Sequence, residues 1–396
     1  MNIHTKAVHA GDRRKPGPHV PATTPITTAS SFIYESTEDL DAVFEQPDKG
    51  YAYSRYDSPT NSALEELVTA LENGHGTLAC ASGMAAIHIA LQTALIDRPK
   101  RVVAASALYG ATLSLLNKVL DPFGVETAFV DICDFEAVSQ AIAETKPGCV
   151  LMETISNPLL RVGPIDRIAG LARQAGAALI VDNTFATPLL VRPLELGAHL
   201  VVHSATKYLA GHGDVLGGVV TSDAAHYDVL RQISRIYGPV LGPFESYLTM
   251  RGIKTFALRM ERQCANACRI ALWLASDPRV SRVTFTGDPN HPDAETIRRL
   301  MPAGLYGAMI SFELKDAGRS QVFAFMDRLK LVVRATSLGD VHTMMLYPAM
   351  SSHRDVAPKQ RARLGITDGL VRLSVGIEAA ADVIADLDQA LAGTGV

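Results

Sequence analysis

The stretch AALIVD, residues 177–182, is an apolar run that ends in an acid. A run of this kind predicts a buried strand that delivers Asp182 to its C-terminal end. The stretch HSATK, residues 203–207, follows it and places Lys207 behind two hydroxyl-bearing residues. Another apolar run, Val215–Val220, begins soon after this lysine. The acid and the lysine are therefore both expected close to strand ends.

Helical stretches alternate with short apolar runs from about residue 61 to residue 245. This alternation predicts an α/β fold, with a mainly parallel sheet covered by helices on both faces and ligands bound at the C-terminal strand ends. Asp182, Lys207 and Tyr109 all fall at such ends. The predicted strands are Arg101–Ser106, Val125–Val130, Gly148–Glu153, Ala177–Asp182, Leu200–Val202 and Val215–Val220.

A lysine, two hydroxyls and an acid are the groups that pyridoxal 5′-phosphate (PLP) requires. Lys207 would form the imine with this cofactor, and Ser204 and Thr206 would bind phosphate oxygens. Asp182 would keep the pyridine nitrogen protonated, so that the ring can accept electrons. The alternative is a solvated surface lysine and an ordinary turn after a strand.

Two further segments contain candidate phosphate ligands. Ser82-Gly83-Met84 precedes a predicted helix, Ala85–Ile96, where glycine permits a close approach and free N–H groups attract an anion. An ordinary serine N-cap is the alternative there. Tyr53 and Arg55 point the same way in an extended chain, and a phenol with a guanidinium suits a phosphate. An exposed surface loop is the alternative for this second pair.

Two other residues are candidates for contacts with a ring and with a substrate. Tyr109 follows a predicted strand and can either lie flat on a pyridine ring or simply pack. Arg372 lies inside an apolar strand pattern, where a buried guanidinium needs an anionic partner. Two partners would satisfy Arg372: a substrate carboxylate, or an acidic residue of the chain in an internal salt bridge.

Taken together, the motifs resemble the PLP-dependent Cys/Met metabolism (transsulfuration) enzyme family. This family comprises cystathionine γ-synthase, cystathionine γ-lyase and β-lyase, methionine γ-lyase and the O-acylhomoserine sulfhydrylases. The resemblance extends over nearly the whole chain. It includes Tyr53-Ser54-Arg55, Ala81–Ala86, Tyr109-Gly110, Glu153-Thr154 with Ser156-Asn157-Pro158, Val181–Thr184, Ser204–Tyr208, Gly211-His212 with Asp214, Arg251–Thr255, Ser337–Asp340 and Arg372–Gly376.

The resemblance implies an aspartate-aminotransferase-like PLP-dependent transferase fold and a role for each motif residue. Lys207, Tyr109 and Asp182 would be catalytic, as the imine-forming lysine, the tyrosine stacked on the ring and the partner of the pyridine nitrogen. The phosphate ligands within the subunit would be Gly83, Met84, Ser204 and Thr206. Tyr53 and Arg55 would reach the phosphate of the neighbouring subunit, which makes a dimer obligatory and a tetramer, as a dimer of dimers, expected. The set that contacts the substrate carboxylate and the cofactor would be Asn157, Ser337 and Arg372.

The family and the residues together predict γ-elimination on a sulfur-containing amino acid, of the methionine or cystathionine γ-lyase type. The products would be a 2-oxo acid, ammonia and a thiol. The alternative is γ-replacement on O-acetyl- or O-succinylhomoserine, of the cystathionine γ-synthase or homoserine sulfhydrylase type. Asp340 and the segment 365–370 look more like methionine γ-lyases or homoserine sulfhydrylases. A catalytically silent regulatory homologue is the alternative from another functional class.

Three positions depart from the family pattern. Ser58 stands where the family usually has Asn, and Ala111 where methionine γ-lyases have Cys and cystathionine enzymes Gly. His342 stands where relatives commonly have Glu. A carboxylate there would suit the distal ammonium of cystathionine, whereas imidazole would not, which predicts poor use of cystathionine. A His342 that is turned away from the pocket is the alternative.

The length of 396 residues predicts either two domains or one large domain with an appendage. We expect an extended N-terminal arm over residues 1–60, which contributes to the neighbouring subunit's site, and a large PLP-binding domain over 61–245. Residues 246–396 would form a long linking helix, around Glu245–Ser276, and a small domain. Its predicted strands are Val280–Phe285, Ala308–Leu314, Leu331–Thr336 and Leu370–Gly376, with helices at 318–329 and 378–392.

Composition limits the partners and the compartment. A net charge of −4 with scattered Lys and Arg gives no reason to expect nucleic acid, and no apolar run predicts a membrane span or a signal peptide. Five cysteines, an odd number without regular spacing, favour a reducing cytoplasm. Cys264 and Cys268 have helical spacing that zinc could use, but without further ligands they are better read as small buried residues, and no metal site is expected.

Overall fold

The computed structural model describes residues 1–12, 20–46, 49–351, 354, 358–363 and 365–392. The N-terminal segment contains α1 (Ile3–His9) and α2 (Thr37–Glu45). Asn2 and Ser36 cap these helices through their side-chain oxygens. The prediction of an extended arm with little helix is therefore wrong at these two places. Residues 13–19 and 47–48 of the predicted arm lie outside the described residues.

Seven strands form the large sheet in the order β1-β7-β6-β5-β4-β2-β3. Six of these strands run in the same direction and β7, between β1 and β6, runs in the opposite one. The prediction of a mainly parallel sheet is therefore confirmed. The strand β1 was not predicted, because its residues, GTLAC, form a short run with few branched apolar side chains. The strands are β1 (Gly76–Cys80), β2 (Arg101–Ala105), β3 (Glu126–Val130), β4 (Cys149–Glu153), β5 (Ala178–Asp182), β6 (Leu200–His203) and β7 (Gly218–Ser222).

Four of the helices that accompany this sheet, α3, α4, α6 and α9, begin at side-chain caps. Ser58 accepts a hydrogen bond from the backbone N–H of Asn61, and Pro59 occupies the first helical turn of α3. Asn caps as well as Ser, so the departure at Ser58 preserves this function. The helices are α3 (Pro59–Glu72), α4 (Gly83–Leu95), α5 (Gly110–Ser114), α6 (Phe135–Thr145), α7 (Ile165–Gln174), α8 (Thr187–Leu190) and α9 (Ala224–Tyr237).

The core of this region lies between the central strands and the helices. Val103, Leu151, Ile180 and Val201, one from each of four strands, are completely buried. Each side chain of this size stabilises the fold by roughly 1.5–3 kcal/mol relative to an exposed one. The strand ends that carry the predicted site residues are thus held by a rigid apolar layer.

The predicted long helix around Glu245–Ser276 is wrong in one respect: it is two helices, α10 (Pro243–Ile253) and α11 (Phe256–Ser276). The backbone carbonyl of Gly252 accepts hydrogen bonds from the Arg259 guanidinium at 2.9 Å and from the Thr255 N–H at 3.2 Å. In a continuous helix this carbonyl would accept the backbone N–H of residue 256. The contacts from Arg259 and Thr255 replace that hydrogen bond, so the helix ends at this point. The break depends on a contact with Arg259, seven residues further on.

A second sheet has the order β10-β11-β12-β9-β8 and its own apolar cluster. The predicted strand Leu331–Thr336 is reduced to two residues, and the three-residue β11 was not predicted. The strands are β8 (Val280–Thr284), β9 (Met309–Leu314), β10 (Val333–Arg334), β11 (Met344–Leu346) and β12 (Leu370–Ser374). The helices are α12 (Ala294–Leu300), α13 (Arg319–Arg328), α14 (Pro358–Arg363) and α15 (Ala380–Ala392).

The domain limits at residues 60 and 245 stay predictions. Within the part of the chain that the structure describes, none of the helices combines the length and the apolar character needed to cross a lipid bilayer.

Candidate active site

A cavity of about 460 Å³ opens where the C-terminal ends of β4, β5 and β6 meet the second sheet. It brings together most of the predicted site residues. Those that line it are Gly83, Met84, Tyr109, Asn157, Asp182, Ser204, Thr206, Lys207 and Arg372. Ser337 does not line it but contacts Lys207.

Lys207 lies in the turn that follows β6, and its Nζ donates a hydrogen bond to Ser337 Oγ at 3.0 Å. Burial, together with the nearby charge of Arg372, lowers the pKa of Lys207 to about 8. An appreciable fraction of the amine is therefore unprotonated close to neutral pH. This is the state in which a lysine acts as a nucleophile or as a base.

Asp182 ends β5 and is held by Thr184. Its Oδ1 accepts hydrogen bonds from the Thr184 N–H at 2.9 Å and from the Thr184 hydroxyl at 2.5 Å. The same hydroxyl oxygen accepts a bond from the Ser204 N–H at 2.9 Å, which joins the acid to the segment carrying Lys207. The pKa of Asp182 is raised, because the effect of burial outweighs the Thr184 hydrogen bonds and the charge of His203, which lower it. Sequence reasoning gave Thr184 no role, although its spacing from Asp182 is a recognisable turn signal.

Glu153 is a second acid in the cavity wall, and its place in the motif Glu153-Thr154 predicted no role for it. It ends β4 and is the register partner of Asp182 on β5. Its Oε1 accepts a hydrogen bond from the backbone N–H of Tyr109 at 2.6 Å. Burial and the charge of Asp182 raise the pKa of Glu153 well above its ordinary value. An acid at the end of a second apolar run was the available signal.

An anion cradle lies at the N-terminus of α4. Ser82 caps the helix by accepting a bond from the Ala85 N–H at 3.1 Å, and the first N–H groups of a helix have no partner inside it. A Cβ on Gly83 would lie 2.8 Å from Ser204 Cβ, and one on Gly218 would lie 2.2 Å from the Ser82 carbonyl oxygen. The backbone is therefore packed too closely here for larger residues. This arrangement suits a phosphate group.

Arg372 lies in β12 and is almost completely buried. Its Nη1 donates to Asn157 Oδ1 at 2.7 Å and its Nη2 to the Ser337 carbonyl at 3.4 Å. Burial lowers the pKa of Arg372 to about 10. Among the described residues it forms no salt bridge with a carboxylate, and its Nε has no hydrogen-bond partner. The geometry thus favours an external anion over the internal salt bridge.

Tyr109 occupies the position before α5 and also lines the cavity. Its side chain is partly exposed, while its backbone N–H is fixed by Glu153. An aromatic ring at this edge of the cavity is available for stacking on a bound ring.

Tyr53 and Arg55 do not line this cavity. The Arg55 guanidinium lies 5.5 Å from the centroid of the Tyr53 ring and 4.8 Å from that of Tyr56, and it donates to the carbonyl of Arg235. Both Tyr53 and Arg55 are exposed. Their role as phosphate ligands of a neighbouring subunit stays a prediction.

Two of the departures from the family pattern lie outside the cavity wall. Neither Ala111 nor His342 is among the residues that line it. The His342 side chain is 64% exposed, and its Nδ1 lies 3.0 Å from Asp340 Oδ1. The placement favours a histidine turned away from the pocket. The predicted effect of His342 on cystathionine use is not supported by this geometry.

These residues fit PLP. The cradle formed by Gly83, with the hydroxyls of Ser204 and Thr206 beside it, would hold the phosphate, and a Cβ would fill this space. Asp182 would bind the pyridine nitrogen, Tyr109 would stack on the ring and Lys207 would form the covalent attachment. The partly unprotonated amine of Lys207 and the anchored carboxyl of Asp182 are the two groups that this chemistry needs.

Known proteins are similar to this chain over almost its full length. The model of the family described as "Cys/Met metabolism PLP-dependent enzyme" matches residues 4–392. An L-methionine gamma-lyase from Fusobacterium nucleatum subsp. nucleatum is 42% identical over 395 residues, which cover 98% of each chain. An O-succinylhomoserine sulfhydrylase from Pseudomonas aeruginosa is 38% identical over 389 residues, covering 98% of this chain and 94% of that one.

The fold has a solved counterpart in the crystal structure of cystathionine gamma-lyase from Lactobacillus plantarum complexed with L-serine. The two chains superpose with a TM-score of 0.92 at 36% identity, covering 100% of this chain and 99% of that one. The predicted aspartate-aminotransferase-like fold is thereby confirmed.

Proposed function

Because the chain belongs to the PLP-dependent enzymes of Cys/Met metabolism, we propose that it catalyses γ-elimination on a sulfur-containing amino acid, with methionine as the preferred type of substrate. Membership of this family makes it a PLP-dependent lyase or transferase of the transsulfuration type. The reaction consumes water and releases a 2-oxo acid, ammonia and a thiol.

The apolar character of the cavity wall carries the proposal. Apart from the groups that bind the cofactor and the substrate carboxylate, the wall combines apolar side chains with uncharged hydroxyl-bearing ones, Ser82, Thr112, Thr184, Thr336 and Ser351. The apolar side chains in it are Met84, Ile87, Ile155, Phe185, Leu216, Leu338 and Leu346. The acids in the wall, Glu153 and Asp182, both accept hydrogen bonds from other residues. A thioether side chain fits these surroundings, whereas the distal ammonium of cystathionine would meet only two carboxyl groups that already accept hydrogen bonds from Tyr109 and Thr184.

Arg372 would bind the α-carboxylate of the substrate. Asn157 fixes the guanidinium from one side, which leaves its unpartnered Nε and its positive charge for the carboxylate. The electrostatic attraction is strong because the site is buried and poorly solvated. Asn157 acts on the substrate through Arg372, as a positioning residue.

Lys207 would act as the base. Its unprotonated amine would take the proton from the α-carbon and deliver it to C4′ of the cofactor. The amine, again unprotonated, would then take a proton from the β-carbon, after which the γ-substituent leaves. Bound PLP supplies an electron sink for the negative charge that develops on the substrate. Ser337 holds the Lys207 amine at 3.0 Å, and a side chain so held is ready for proton transfer over a short distance.

The second candidate is γ-replacement on O-acetyl- or O-succinylhomoserine. It is supported by the similarity to the sulfhydrylase of Pseudomonas aeruginosa. The two reactions share the steps assigned to Lys207 and differ in whether water or a thiol ends them.

Product analysis separates these reactions. The purified enzyme with PLP is incubated with methionine, cystathionine, O-acetylhomoserine or O-succinylhomoserine, each with and without added thiol, and with the Lys207→Ala variant as control. We expect 2-oxo acid, ammonia and thiol from methionine without added thiol. A thioether formed only when a thiol is added would establish γ-replacement instead. A protein without a visible cofactor absorption band would be the silent homologue.

We also propose an active homodimer, and a tetramer built from two such dimers. The proposal is supported by Tyr53 and Arg55, which are exposed and do not line the cavity of their own chain. A cytoplasmic location is supported by the cysteines, all five of which are free thiols.

A further inference from the structure

Glu153 and Asp182 form a pair of neighbouring carboxyl groups. They are register partners at the C-terminal ends of β4 and β5, so their side chains leave the sheet on the same side. The Thr154 N–H donates to the Asp182 carbonyl at 3.0 Å, which fixes this register. Glu153 is only 8% exposed. Asp182 is half-buried beside it, and the charge of Asp182 disfavours ionisation of the buried Glu153, so one of the two carboxyl groups retains a proton.

The hydrogen bonds around the pair are unequal. Asp182 accepts two bonds from Thr184, and His203 on the adjacent strand also favours its charged form. Glu153 accepts the Tyr109 N–H at Oε1, while its Oε2 has no hydrogen-bond partner among the described residues. A buried carboxylate oxygen without a donor is costly, whereas a protonated one is much less so.

The groups that face Glu153 do not offset its burial. Burial and the charge of Asp182 raise the pKa of Glu153 well above its ordinary value. The backbone N–H groups of Tyr109 and Asn157 and the charge of Arg372 counteract this rise only in part. The proton therefore belongs on Glu153 and the charge on Asp182.

We propose that Glu153 is a positioning residue that works as an uncharged carboxylic acid. Its Oε1 holds the backbone N–H of Tyr109, its Oε2 carries the proton, and its neutrality leaves Asp182 as the only negative charge at the cofactor nitrogen. One side chain thus fixes both the position of the stacking tyrosine and the charge state of the acid beside it. The inference rests on the cofactor that the proposed function uses.

The first test measures thermal unfolding of the cofactor-free protein at several pH values. A carboxyl group whose pKa is raised in the folded state stabilises the fold at low pH. This contribution is lost as the pH rises above the pKa of the same group in the unfolded chain, about 4.3. Glu153→Gln cannot ionise in either state. We expect the melting temperature of this variant, relative to wild type, to increase as the pH rises from about 4.5 towards neutral. Glu136→Gln, an exposed position on α6, is the control and should show no such trend. A difference between Glu153→Gln and wild type that is independent of pH would overturn the proposal.

The second test measures the dissociation constant for PLP and the visible circular dichroism of the bound cofactor. In Glu153→Gln the amide oxygen can still accept the Tyr109 N–H, so we expect affinity within about threefold of wild type. In Glu153→Ala that contact is lost, and we expect affinity about tenfold weaker with a reduced dichroism band. A glutamine variant as weak as the alanine variant would mean that the charge of Glu153 is needed. Neither test uses turnover, so failure of γ-elimination with these results intact would refute the proposed function alone.

Discussion

The lowered pKa of the Lys207 amine is a property of a single residue that can be tested directly. Its pKa is lowered to about 8 by burial and by Arg372, and only the unprotonated amine can attack the aldehyde of PLP. The rate at which added PLP develops its visible band in the cofactor-free protein should therefore rise with pH, with a midpoint near 8. Arg372→Gln removes a nearby positive charge and should move this midpoint upward. A wild-type midpoint near the ordinary lysine value of 10.5 would contradict the assignment.

The charge of Asp182 is the second residue-scale property. Asp182→Asn should retain bound PLP but lose turnover by about 100-fold or more, because an amide cannot hold the ring nitrogen protonated. Thr184→Val removes one hydrogen bond to Asp182 and should reduce kcat by only about tenfold. Cofactor content, measured by absorption, and kcat with methionine together distinguish the two effects. An asparagine variant with a near-normal kcat would exclude the electron-sink role.

Residue identities were easier to predict than residue environments. The strand-end positions of Asp182 and Lys207 follow from apolar runs that the sequence displays directly. The protonation of Glu153 depends on the register of β4 against β5, which no local pattern encodes. The outward direction of His342 depends on its contact with Asp340, so its proposed influence on substrate choice could not be checked from sequence.

Close backbone packing between β7 and α4 shapes the phosphate cradle at the scale of elements. Gly218→Ala would place a methyl group 2.2 Å from the Ser82 carbonyl oxygen, so it should displace this loop and weaken PLP binding by about tenfold or more. Gly170→Ala, in α7 with nothing within 4 Å of the new methyl group, is the matched control. It should leave PLP affinity unchanged and stabilise the protein by about 0.5–1 kcal/mol. Equal PLP affinity in both variants would show that the cradle lies elsewhere.

Elements with branched apolar runs were predicted within a few residues, and those without such runs were missed. The strands β1 and β11, with sequences GTLAC and MML, are too short to show a period. The break between α10 and α11 is produced by a contact from Arg259 to the Gly252 carbonyl. Tertiary contacts of this kind override a helical pattern that looks continuous in the sequence.

At the scale of the whole molecule, the dimer proposal predicts complementation between subunits. Arg55→Ala and Lys207→Ala should each be impaired alone. In a hybrid dimer, one site would combine Lys207 from one chain with Arg55 from the other, and co-expression should restore up to about a quarter of the sites when pairing is random. Activity and PLP content of the purified hybrid are the measurements. Hybrids no better than either parent would place the phosphate contact within one chain.

Lys207, in the cavity at the ends of β4, β5 and β6, is the residue that we propose carries the cofactor. The most direct measurement is borohydride reduction of the PLP-loaded protein, followed by peptide mapping with mass spectrometry. We expect a phosphopyridoxyl group on the peptide that contains Lys207, and none on the Lys207→Ala protein treated in the same way. A label on another lysine, or equal labelling of the variant, would contradict the assignment of Lys207.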